Sequence, residues 1–116
     1  MKKFILDLTV VDNVRLNYQY VLLKLTHSEK LPPVLPGQFA EVRVDGSSET
    51  FLRRPISINF IDTLRNELWL LIQVVGAGTR QLASLRQGDM LNMIFPLGNT
   101  FTVPAVKNAK IALIGG

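Results

Sequence analysis

The chain has 116 residues, no cysteine and one histidine. The first absence excludes disulfides and any thiolate-bound metal or cluster within these residues. The second leaves no pair of imidazoles to hold a metal. His27 stands in the polar stretch Thr26-His27-Ser28-Glu29-Lys30 and is expected to be exposed. No apolar run approaches the roughly 20 residues of a membrane-spanning helix. Lys2 and Lys3 precede a short apolar stretch, but Asp7 and Asp12 interrupt it and no small-residue cleavage site follows, so no secretory leader is expected. There is also no basic run interleaved with aromatics, which argues against nucleic acid as a partner. The expectation from these absences is a cytoplasmic protein without membrane contact, since missing cysteine fits a reducing compartment.

What is present is one domain's worth of chain. The net charge of +4, from 13 basic and 9 acidic residues, is mild and scattered, and suits a small anionic ligand. Short stretches alternating apolar and polar residues are separated by turn signals, the pattern of strands. Residues 4–11 form one, with Asp12-Asn13 expected as a turn or break. Residues 18–25 form the next, placed to pair with the first antiparallel. Pro32, Pro33 and Pro36 then forbid regular structure, and Pro36-Gly37 fits the centre of a type II turn. Residues 39–44 alternate again. Residues 67–75 are apolar on both faces, which marks a central strand, and Trp69 within it is expected to pack in the core or at its rim. Residues 79–85 give a short helix with Thr79 as its cap, followed by Gly88. A strand at 90–95, a turn at Pro96-Leu97-Gly98-Asn99 and a short extended piece at 101–103 complete the pattern. The spacing predicts an all-β fold, a small antiparallel barrel or sandwich with one helix. No internal repeat is present.

Two stretches carry chemistry. In Arg53-Arg54-Pro55-Ile56-Ser57-Ile58-Asn59-Phe60, Pro55 belongs at a strand start or edge. Ile56, Ile58 and Phe60 are expected to face the core, and Ser57 to face away from it. The arginines before it are suited to planar oxyanions. The second stretch, Gly76-Ala77-Gly78-Thr79, opens the helix, where backbone N–H groups are free and the dipole is positive. Arg80, expected in the first helical turn, opposes that dipole unless an anion is bound there. A solvated edge strand and a plain helix cap are the bland alternatives.

Arg54-Pro55-Ile56-Ser57 resembles the flavin-binding signature of the ferredoxin reductase superfamily, an Arg-x-Tyr-Ser/Thr pattern. Pro36-Gly37-Gln38-Phe39, Gly76-Ala77-Gly78-Thr79, Gly88-Asp89 and Pro96-Leu97-Gly98-Asn99 match its context. The wording is most similar to one branch, the electron-transfer subunits of type 1B dihydroorotate dehydrogenases. The resemblance covers essentially the whole chain and the N-terminal half of such a subunit.

The resemblance implies a six-stranded antiparallel Greek-key barrel that binds FAD, over residues 1–105. It implies that residues 106–116, with the apolar run Ile111-Ala112-Leu113-Ile114 before Gly115-Gly116, are the first strand and glycine turn of a truncated α/β NAD-binding domain. It further implies a two-iron, two-sulfur cluster on cysteines beyond this sequence, and electron transfer between NAD(H), FAD and that cluster. The partner would be an FMN-containing dihydroorotate dehydrogenase catalytic subunit in a heterotetramer serving pyrimidine biosynthesis. The fragment alone would be inactive. By residue, Arg54 would bind the FAD diphosphate, with Pro55 and Ile56 beside it. Ser57 would contact the flavin N5 edge, Leu71, Ile72 and Gln73 would line the cofactor through backbone groups, and Gly78 and Thr79 would hold a phosphate. Ile56 replaces the superfamily's ring-stacking aromatic. Phe95 replaces a glycine often found before the Pro-Leu-Gly turn. A related ferredoxin:NADP oxidoreductase or sulfide dehydrogenase subunit is the alternative within the class. A cofactor-free barrel interaction module, like those in translation factors, is the alternative outside it.

Overall fold

The computed structural model describes residues 2–115. Its first strand, β1 (Phe4–Arg15), runs straight through the expected break at Asp12-Asn13. The chain does not turn there; a bulge shifts the pairing with β2 (Tyr20–Thr26) between Val10 and Asp12 and bends the strand instead. Asn13 is bonded rather than looped, its side-chain amide donating to the carbonyls of Ala83 (2.8 Å) and Leu85 (2.7 Å). The turn residue is Asn17, whose side-chain oxygen accepts from the N–H groups of Gln19 and Tyr20. The proline-rich crossover leads to β3 (Phe39–Val42), then β4 (Arg54–Asp62), β5 (Glu67–Gln73), the helix α1 (Ala77–Ala83) and β6 (Met90–Leu97).

The strands close into a barrel in the order β1-β2-β5-β4-β3-β6, all neighbours antiparallel. β3, β4 and β5 form a meander, and β6 returns beside β3, which is the Greek-key arrangement. Closure removes the exposed edges that a six-stranded sheet would otherwise leave. Alternation does the rest: Val21, Leu23 and Leu25 on β2 and Leu68, Leu70 and Ile72 on β5 fill the interior with Leu8, Val10, Leu91, Met93 and Phe95. Phe95 is fully buried, so in place of the family's glycine it supplies core volume. Leu82 of α1 closes one end of this core.

Two sequence expectations are corrected, one within the sheet and one just past the end of β2. Phe60 does not share the core face of Ile56 and Ile58. A register shift between Ile58 and Phe60 against β5 reverses the parity, so Phe60 turns outward and Ile61 packs against the core. Phe60 then meets Trp69 on the outer face, ring centroids 4.9 Å apart, and Lys24 Nζ lies 4.4 Å from the Trp69 ring. Trp69 is therefore rim packing. His27 is half-buried rather than exposed, its Nδ1 accepting the Glu29 N–H at 3.1 Å.

The family-like turns form one unit. Gln38 is 3% exposed. Its side chain donates to the Gly98 carbonyl (3.2 Å) and accepts from the Leu35 N–H (2.9 Å). Gly37 has φ near +100°, and a Cβ there would come within 3.0 Å of the Phe101 nitrogen, so both its conformation and its surroundings demand glycine. Beyond this contact, residues 101–115 are exposed and belong to no strand or helix. The extended piece expected at 101–103 is not part of the sheet. Gly116 lies outside the described residues. No helix among the described residues is long and apolar enough to cross a membrane.

Candidate functional site

Position Ile58 on β4 decides the local geometry. Before it, Arg54, Pro55, Ile56 and Ser57 pair with Val42, Glu41, Ala40 and Phe39 of β3. From Ile58 onward β4 pairs with β5, beginning at Ile58–Leu70. Residues 54–57 thus have no partner on β5, and residues 71–73 have none on β4. The barrel wall opens between these two strands. Pro55 suits this place, since a residue without an N–H leaves no donor unpaired there.

The groups facing the gap follow from strand alternation. The Ile58 N–H donates to the Gln38 carbonyl on the β3 side (3.2 Å), so the N–H of Ser57 points the other way, into the gap. The Val74 N–H donates to the Gln19 carbonyl on the β2 side (2.7 Å), so the N–H and carbonyl of Gln73 also point into the gap. The side chains of Ser57, Leu71 and Gln73 are exposed on the outer face. Ile72 between them is fully buried and, by the same alternation, turns its backbone to β2. Ile56 is half-buried and packs against the core.

Arg54 lies at the same end of the barrel, where β5 gives way to α1. The only hydrogen bond of its side chain among the described residues is a long one, 3.4 Å to the Leu52 carbonyl, and no carboxylate pairs with it there. Arg53 is different. It donates to the Glu41 carbonyl (3.2 Å) and to the carbonyl (3.3 Å) and side-chain oxygen (2.6 Å) of Asn92, tying the start of β4 across β3 to β6. Asn92 in turn donates to Asp7 at 2.8 Å. Of two adjacent arginines, one braces the barrel and the other is available to a ligand.

The glycine turn is also divided in role. Gly76 is the N-cap residue of α1, extended at φ −161°, and a Cβ there would meet nothing within 4 Å. Gly78 is buried, and its missing Cβ leaves room for its neighbours: that atom would stand 3.1 Å from Arg54 Nε and 3.3 Å from Thr50 Cγ2. Thr79 is not the N-cap expected from sequence but the third helical residue. Its hydroxyl oxygen accepts from the N–H groups of Val75 (2.9 Å) and Gly76 (3.0 Å) and donates to the Gly76 carbonyl (3.2 Å). That hydroxyl is fully engaged, leaving only the backbone of Thr79 for a ligand. Arg80 falls in the last turn of a seven-residue helix, not in a first turn where it would oppose the dipole. Arg80 therefore gives no sign of an anion at the helix start, and Arg54 is the cation placed to meet one.

The sequence-predicted residues thus fall into two groups that meet at one barrel end. Arg54 and Gly78 make a cationic corner, and Ser57, Leu71 and Gln73 line the open wall. Thr50, which no motif flags, forms part of the corner. These residues fit a flavin nucleotide: a fixed cation and a bare glycine for phosphate, and unpaired backbone donors and acceptors beside an apolar side chain for a heteroaromatic ring. The described residues contain no cluster of His, Cys, Asp or Glu able to hold a metal.

No family model matches the chain. The electron transfer subunit of dihydroorotate dehydrogenase B (NAD(+)) from Lysinibacillus sphaericus is 44% identical over 90 residues, 78% of this chain and 35% of that protein. The protein of the same name from Fusobacterium nucleatum is 32% identical over 110 residues, 95% of this chain and 42% of that protein. In structure, the ferredoxin reductase in carbazole 1,9a-dioxygenase matches with a TM-score of 0.76 at 21% identity, over 90% of this chain and 32% of that one, which shows a shared fold. The chain spans less than half the length of these curated relatives. With its motifs packed at one end of a ferredoxin-reductase-like barrel and this identity across most of its residues, the chain belongs to the family of dihydroorotate dehydrogenase B electron transfer subunits.

Proposed function

We propose that the chain is the FAD-binding part of an electron-transfer subunit that serves dihydroorotate dehydrogenase B, an oxidoreductase. The observation that carries this reading is the change of partner at Ile58, which opens the wall between β4 and β5 beside an arginine that no carboxylate pairs among the described residues. Bound there, FAD supplies one- and two-electron chemistry. The chain's own residues bind and orient it. Arg54 holds the diphosphate through charge-assisted hydrogen bonds, with the backbone of Gly78 and Thr79 close by. Ser57 offers its hydroxyl and N–H to the ring edge, and Gln73 offers its N–H and carbonyl from the opposite strand. Leu71 and Ile56 give aliphatic contacts where a stacking aromatic is missing. Pro55 keeps the edge free of a competing donor, and Ile72 anchors the strand in the core.

The finer reading extends to partners. Electrons would pass between NAD(H), FAD and a two-iron, two-sulfur cluster, and on to or from an FMN-containing catalytic subunit. Residues 106–116 would begin a nucleotide-binding domain. What supports this is the exposure of Ile111, Leu113 and Ile114, since an apolar run outside the barrel needs a surface to pack on. The test is a titration of FAD into the purified chain, followed by absorbance and flavin fluorescence. Saturable binding with one FAD per chain is expected. A colourless protein that leaves free FAD unperturbed contradicts the reading and favours a cofactor-free barrel.

A further inference from the structure

Thr50 precedes β4 in the loop that follows β3 and is 6% exposed. Its side-chain oxygen is shut off from solvent and has no hydrogen-bond partner among the described residues, the one buried side-chain polar atom so placed. A hydroxyl buried without a partner is unfavourable, and a valine would fill the same volume at no such cost. The oxygen would lie 3.4 Å from a Cβ on Gly78, and Arg54 Nε lies 3.1 Å from the same point. Thr50 and Arg54 make no hydrogen bond to each other. A guanidinium only donates, and a hydroxyl can donate as well. Two donors therefore gather round one bare glycine, and the described residues supply neither with a strong acceptor. An oxygen-rich anion would complement both donors.

We infer that Thr50 is a ligand-binding residue whose hydroxyl donates to the phosphate that Arg54 grips, and that the nucleotide diphosphate, not the flavin ring, is what it senses. This rests on the placement of FAD proposed above and adds to it a contact that the sequence motifs do not include. Thr50 lies four residues before Arg54, so one short loop delivers both groups to the corner.

The test uses the 116-residue chain as wild type, Thr50→Val and Thr50→Ser. Each is titrated with FAD and with ADP, and each is melted without ligand. Thr50→Val should weaken both nucleotides about tenfold, the loss of one hydrogen bond to a charged group. Its ligand-free melting temperature should equal or exceed wild type, and Thr50→Ser should keep wild-type affinity. Wild-type affinity for FAD in Thr50→Val would overturn the inference and leave the flavin site standing. So would a clearly lower ligand-free melting temperature for Thr50→Val, which would show that the hydroxyl has a partner within the protein. Binding of ADP but not FAD, still weakened in Thr50→Val, would uphold the phosphate contact and remove the flavin reading. If wild type binds neither nucleotide, both fall.

Discussion

The Nε of Arg54 lies 3.1 Å from the point where a Cβ on Gly78 would stand. The arginine occupies its corner because residue 78 has no side chain. Gly78→Ala should therefore push Arg54 and Thr50 aside. It should weaken FAD binding about tenfold while changing stability by less than about 1 kcal/mol, because the gain in helix propensity offsets the crowding. Gly76→Ala, in open space with an extended backbone, should leave affinity unchanged. Parallel titrations and thermal melts of the two variants check the contrast.

Arg53 and Arg54 should separate stability from binding. Arg54→Ala is expected to weaken FAD by about 1.5–3 kcal/mol, the range for a hydrogen bond to a charged group, with the ligand-free melt unchanged. Arg53→Ala removes the link to Asn92 and the Glu41 carbonyl. It should lower unfolding free energy by about 1–3 kcal/mol, with the affinity of the folded protein intact. Denaturant unfolding beside FAD titration distinguishes the two. Reversed effects would reverse the assignments.

Thr79 and Arg80 carry a prediction about the helix itself. Thr79→Ala frees the N–H groups of Val75 and Gly76 and should cost about 1 kcal/mol of stability, equally with and without FAD. Arg80→Glu should shift the melt slightly and by the same amount in both states, since Arg80 is in the last turn. A larger shift in the FAD-bound form alone would place an anion beside Arg80.

The strand pattern was legible because half-buried strands write burial into alternate residues: Val21, Leu23 and Leu25 announced β2, and Ala40 and Val42 announced β3. The bulges were not. Asp12-Asn13 looks like a turn in sequence, but Asn13 finds the carbonyls of Ala83 and Leu85, partners some 70 residues away that no local rule can see. Phe60 continued the alternation of Ile56 and Ile58 on paper, and only the pairing with Trp69 shows the shift. The sequence puts the start of helix α1 two residues late because Thr79, a good capping residue, caps from the third helical position rather than from the N-cap. Among the residues proposed for the site, Arg54 and Gly78 are visible in the sequence as motif members. Thr50 was not, since one threonine in a loop has no pattern until its burial is known. The split in role between Arg53 and Arg54 depends on Asn92, on the far side of β3.

The central claim is that the open wall between β4 and β5 is the flavin site. Amide hydrogen exchange measured by NMR on the chain, without and with saturating FAD, tests it most directly. The N–H groups of Ser57 and Gln73 point into the gap, whereas those of Ile58 and Val74 are bonded to Gln38 and Gln19. Without ligand, Ser57 and Gln73 should exchange fast and Ile58 and Val74 slowly. With FAD, Ser57 and Gln73 should slow by at least about tenfold. If FAD binds and those two amides exchange as before, the cofactor lies elsewhere and the account of this site is wrong.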